Sequence, residues 1–276
     1  MKVLRTTCWL GAASLVVGCA TLYAETLSVG TGWEEFTFGG VGSAWSRTYD
    51  YSSSSATVFR VVDAGLSGDQ FPVTGLGTTS SPGASAGPVG NDFLAAFIDP
   101  AFSRGTYLLP AGTRSIGGTT GLSPFGGGNY AAARADEVGV VTITPGAGWH
   151  SFGFAEVDSA WNTAFLLTLS APGVVTIVDA GCSGDQFFLD GFGATSAAVF
   201  ELGRCVAGDF DAAMADSSFS RTTLHLSAGA YLITGLVTRS PYGGGVQAGV
   251  RAETLPATIF IDGFEDGTAN AWTSVP

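Results

Sequence analysis

Apolar residues along this chain come in short bursts bounded by turn formers. Segments such as SATVFRVVDAG (55–65), RGTYLLPAG (104–112), GVVTIVDAG (173–181) and TTLHLSAGAYLITGL (222–236) end in Gly, Pro, Ser or Asp, the pattern of β-strands joined by turns. The FTF and FGF alternations at 36–38 and 152–154 read the same way, as do YAAARAD (130–136) and QAGVRAE (247–253). No stretch of ten or more residues holds a helical period. Many short strands with regular punctuation predict an all-β chain built as antiparallel sandwiches of jelly-roll type.

The pattern occurs twice. Trp33, Phe36, Phe38, Val41 and Trp45 recur 116 residues later as Trp149, Phe152, Phe154, Val157 and Trp161, and VDAGLSGDQF (62–71) recurs as VDAGCSGDQF (178–187). From Asp99/Asp216 onward the offset is 117, so SPFGGG (123–128) matches SPYGGG (240–245). A repeat of this length is the size of a domain rather than of a solenoid unit. Two tandem sandwiches are therefore expected, at 25–140 and 141–256, behind a 1–24 export signal and ahead of a 257–276 tail.

The export signal rests on Lys2 and Arg5 ahead of an apolar stretch from Cys8 to Val17, too short for a bilayer span. Cleavage after Ala24 is favoured, and Val16-Val17-Gly18-Cys19 is a competing lipoprotein box with Cys19 as the lipidated residue. No other segment is long and apolar enough for a transmembrane span. Beyond the signal the cysteines are Cys182 and Cys205, both in the second copy, where the first has Leu66 and Pro88. Presence together and absence together predict a disulfide, which suits an oxidising compartment. The net charge of −12 repels phosphate backbones and argues against nucleic-acid partners.

Candidate chemistry lies in polar residues that both copies keep. Asp63, Asp69, Asp92 and Asp99 match Asp179, Asp185, Asp209 and Asp216, alongside Arg104/Arg221, Arg134/Arg251 and Asp136/Glu253. Carboxylates in Gly/Ser turns can converge on calcium; the favoured alternative is that they form Asx-turns and ion pairs. Trp33, Trp45, Trp149 and Trp161 could stack on sugar rings or fill the inter-sheet core. Catalytic patterns are weak. Ser85 sits in GASAG between two prolines rather than at a strand-to-helix elbow, and His150 and His225 face Glu34 and Leu108 at the matched positions, so no catalytic triad is kept in both copies.

The VDAGLSGDQF, VGNDFLAAFIDPAFSRGTYLLPAG (89–112) and SPFGGG motifs together resemble a repeated unit of exported bacterial proteins, including those of PEP-CTERM type, and of fungal secreted proteins. IFIDGFEDGTANAWTSVP (259–276) is similar to the DGFESGD…W tail of exported bacterial proteins, although Asp266 and Thr268 depart from it. The resemblance implies an extracellular β-rich protein. The expectation is a secreted, non-enzymatic binding or surface-structural protein whose partner is a glycan or cell-surface component. The alternative is a carbohydrate-active enzyme or its sugar-binding module.

Overall fold

The computed structural model describes residues 4–7, 20–81 and 87–255. Cys19 and most of the expected signal, Ser85, and the 257–276 tail lie outside the described residues. The fold is all-β and sandwich-like. Strands β1 (Leu4–Thr7) and β2 (Ala20–Thr26) pair antiparallel. The first copy continues with β3 (Glu34–Phe38), β4 (Arg47–Ser53), β5 (Ala56–Asp63), β6 (Pro72–Val73), β7 (Gly77–Thr78), helix α1 (Phe93–Ile98), β8 (Arg104–Leu109) and β9 (Gly112–Ile116). The long β10 (Gly128–Ile143) leads into the second copy. There follow β11 (His150–Phe154), β12 (Thr163–Leu169), β13 (Gly173–Asp179), β14 (Gln186–Leu189), β15 (Gly193–Ala194), helix α2 (Phe210–Ala215), β16 (Arg221–Leu226), β17 (Gly229–Ile233), β18 (Gly235–Arg239) and β19 (Gly245–Thr254). Among the described residues no helix is long and apolar enough to cross a membrane.

One sheet of each copy has the same order, β3-β10-β5-β8 in the first and β11-β19-β13-β16 in the second. In the opposing sheet, β2 runs parallel to β4 with Tyr23 opposite Arg47, and β10 runs parallel to β12 with Gly139 opposite Thr163. Both members of the second pair lie 116 residues beyond the first. The C-terminal part of β10 is therefore to the second copy what β2 is to the first. One strand serves both sandwiches, and the expected division at 140/141 falls inside it.

Each copy keeps its own apolar core. Phe36, Trp45, Phe59, Val61 and Phe71 anchor the first, and Phe152, Trp161, Val175, Ile177 and Phe187 the second. Trp45 and Trp161 are 1% and 0% exposed and stack on Phe36 and Phe152 at 4.2 and 4.1 Å. These two tryptophans are core residues and present no face to a sugar, which corrects that candidate role. Their rings lie so close to the neighbouring strand that a Cβ at Gly235 would meet the Trp161 ring at 3.0 Å and also the Phe188 carbonyl.

The VFRVV run in β5 is apolar without alternation because both faces are covered. Phe59 and Val61 face the first core, while Val62 joins Phe97, Phe102, Ala132, Phe188 and Leu236 in a cluster that spans the two copies. The short helices cover this outer face. Each begins on an aspartate, Asp92 or Asp209, whose Oδ1 accepts the N–H of Ala95 or Ala212 at 3.0 Å. At six residues they are too short to show a helical period in the sequence. Cys182 and Cys205 form the expected disulfide, with Cα atoms 4.0 Å apart.

Candidate functional site

The most elaborate polar arrangement lies in the seam between the copies. It grows from the outer face of β5 and β10, where Arg60 and Arg134 are direct cross-strand partners. Like charges so placed repel, and Asp136 holds them together. Its Oδ2 accepts from Arg60 Nη1 at 2.9 Å and from Arg134 Nε at 2.8 Å, while its Oδ1 accepts from Arg134 Nη2 at 2.8 Å. The second copy completes the network. Arg60 Nε donates to Asp190 Oδ2 at 2.7 Å and its Nη2 to Thr234 Oγ1 and the Gly235 carbonyl at 3.3 Å. Arg134 Nη1 donates to both Oδ1 and the carbonyl of Asp158 at 2.8 Å.

Side groups finish the assembly. The Trp33 indole N–H donates to Asp158 Oδ1 at 3.1 Å, and the Arg134 guanidinium lies 5.2 Å from the Trp33 ring centroid. Thr106 Oγ1 donates to Asp190 Oδ2 at 3.1 Å. Phe97 meets Phe188 edge-on at 6.0 Å, with Arg104 over the Phe188 ring at 5.2 Å. Asp158 has a positive φ of 65°, a strained conformation for a residue with a Cβ. Its carboxylate and carbonyl both grip Arg134, which holds the turn.

The Arg60, Arg134, Asp136 and Asp190 side chains are at most 7% exposed, whereas that of Asp158 is 37% exposed. Burial raises the Asp190 carboxyl above its ordinary range against the pull of Arg60. Burial also raises Asp158, opposed by Arg134 and the Trp33 indole. For Arg134, burial works against the charge, but hydrogen bonding to Asp136 and the charges of Asp136 and Asp158 prevail and raise its pKa.

This lock is specific to one order of the copies. The positions that match Arg60, Asp158 and Asp190 hold Thr176, Gly42 and Thr74. The second copy does keep Trp149 and Arg251 opposite Trp33 and Arg134. There the indole donates at 3.0 Å to Asp211, a residue of its own α2 that stands where the first copy has Leu94. Arg251 lies 4.6 Å from the Trp149 centroid and 3.5 Å from Asp211. One carboxylate thus fills the same Trp–Arg socket in both copies, supplied by the neighbouring copy in the first and from within in the second.

Beside the lock opens a cleft of about 670 Å³ lined by Val29–Gly32, Arg134, Asp136 and Glu137 from the first copy and Gly153–Asn162 from the second. It brings Asp136, Glu137, Glu156 and Asp158 to one junction, the kind of place where ligand sites concentrate.

The eight aspartates considered as calcium ligands do not converge on one site. Asp92 and Asp209 cap helices, and Asp99 Oδ1 accepts the Ala101 N–H at 2.8 Å. Asp216 accepts from the Ser218 N–H and hydroxyl and from Arg204, and these hold its carboxyl down at about 2. Asp63 and Asp69 come together in one buried turn, and Asp179 and Asp185 in the matching one. Among the described residues no group of three or more His, Cys, Asp or Glu could hold a metal ion. The physical reason is local: most of these carboxylates accept N–H groups of their own turns. Trp33 and Trp149 are half-buried, flanked by Phe97 and Arg134 and by Phe210 and Arg251.

Arg60, Asp158 and Asp190 escaped the sequence reading because it sought polar residues common to both copies. The usable signal was the opposite one: an arginine in an apolar strand where the other copy has threonine. No protein-family model matches the chain, and a search of the curated proteins returns no match.

Proposed function

We propose that the protein is a non-enzymatic binding or surface-structural protein acting at the bacterial envelope or outside it. The observation that carries this reading is how the polar residues are spent. The shared aspartates mostly cap helices and close turns, while Arg60, Asp158 and Asp190, unique to one copy, join Arg134 and Asp136 in clamping the two sandwiches together. Within the second sandwich a disulfide adds a further brace, as suits an oxidising exterior. The cleft beside Arg134 and Asp158 is where a glycan or other cell-surface component would seat.

The acidic lining of that cleft favours one other reading, carbohydrate-active hydrolysis, because carboxylate pairs are the working groups of glycosidases. One experiment separates the two. The purified chain is incubated with isolated cell envelopes and with a panel of polysaccharides, and both co-sedimentation and release of reducing ends are measured. Saturable co-sedimentation without reducing-end release is expected. Catalytic release abolished by Glu156→Gln or Asp158→Asn would overturn the binding-protein reading.

A further inference from the structure

Two buried acidic pairs stand outside the seam. Asp63 and Asp69 are 0% and 3% exposed, and Asp179 and Asp185 repeat those values in the second copy. Asp63 Oδ1 accepts the Gly65 N–H at 3.3 Å, and Asp179 Oδ1 the Gly181 N–H at 3.1 Å. Asp69 and Asp185 take a hydroxyl donor each from the SPxGGG turn, Ser123 and Ser240. This leaves one oxygen of every carboxylate, Oδ2 of Asp63 and Asp179 and Oδ1 of Asp69 and Asp185, with no hydrogen-bond donor among the described residues.

Among the described residues no cation compensates them. Arg104 and Arg221 are turned to the carbonyls of Phe97 and Asp216, Arg134 to Asp136 and Asp158, and Arg251 to Asp211 and Glu253. Around Asp63 the packed elements bring Asp69, Ser123, the Ser103 carbonyl ahead of β8 and the Tyr130 carbonyl of β10; around Asp179 they bring Asp185, Ser240 and the carbonyls of Ser220 and Gln247. Of these groups the charged neighbour is in each case the second aspartate. Two adjacent carboxylates buried without a cation cannot both remain ionised.

We propose that one carboxyl of each pair, Asp63 or Asp179, keeps a proton beside the second aspartate, so that a proton closes the VDAGxSGDQF loop of each copy and its loss loosens the loop. Burial first, and then the charge of the second aspartate, push Asp63 and Asp179 up to about 7. The folded chain then holds protons that the unfolded chain has released. The stabilisation is complete below the ordinary aspartate range near pH ~4, declines above it, and is exhausted once the pH passes the folded value near 7.

The test is urea unfolding of the full chain between about pH 5 and pH 8. Across the lower part of that range the unfolding constant should rise as much as ~10-fold per pH unit for each pair, or ~100-fold for both. Burial raises Asp158 and Asp190 as well, so the buried pairs are isolated by Asp63→Asn with Asp179→Asn, which remove the proton-holding carboxyls themselves. That pair of substitutions should flatten most of the slope. Should the variant not fold, the infrared carbonyl band of protonated carboxyl in the native chain must fade over the same range. Stability that is flat or rises with pH would overturn the proposal. So would a calcium-induced rise in melting temperature at pH ~7.5 that depends on Asp63 and Asp179, since a metal would then occupy the proton's place.

Discussion

Arg60 sits fully buried in an otherwise apolar strand, with four partners, three of them contributed by the other copy. Removing one member of a buried ion network leaves the others uncompensated, whereas removing matched partners together can cost little. Arg60→Thr, which installs the residue of the second copy, should therefore cost about 3–5 kcal/mol by urea unfolding. Asp190→Thr, which likewise installs the residue found at position 74, should recover a large part of that loss when combined with it. Equal and additive losses would show that the two residues do not act as a pair. At this scale the sequence was legible wherever chemistry is local. Cys182 and Cys205 betrayed their pairing by appearing together, and the alternation around Trp45 and Trp161 is that of core strands. The role of Arg60 depends on which face of β5 meets the other copy, and no local pattern carries that information.

Among the elements, β10 matters most, because a single strand closes one sheet of the first copy and opens a sheet of the second. Its two halves were visible only as the end of one repeat and the stretch before the next. The strands were legible through their turns, while the helices were hidden by their brevity even though Asp92 and Asp209 mark their starts. Packing between elements is tight where Trp161 crosses β18 at Gly235. Gly235→Ala should destabilise the chain by about 1–3 kcal/mol through overpacking, seen as a lowered urea midpoint with unchanged slope. The Cys182–Cys205 bridge closes a loop with a sequence separation of 23 residues, so Cys182→Ser with Cys205→Ser should cost roughly 3 kcal/mol on the chain-entropy estimate. A loss near zero would mean that the loop is held by its other contacts.

At the scale of the whole molecule, two similar halves are joined by shared elements. Each half retains a core of its own, yet β10, the Phe97–Phe188 cluster and the buried network cross between them. On the matching face of the second copy Thr176 stands in place of Arg60, and Asp211 fills the Trp149–Arg251 socket. If the halves are locked in this way, neither should unfold without the other. Scanning calorimetry of the full chain near pH ~5, where Asp63 and Asp179 are protonated, tests this most directly. One transition with a calorimetric enthalpy equal to the van't Hoff enthalpy is expected, and two resolved transitions, or a calorimetric enthalpy about twice the van't Hoff value, would contradict it.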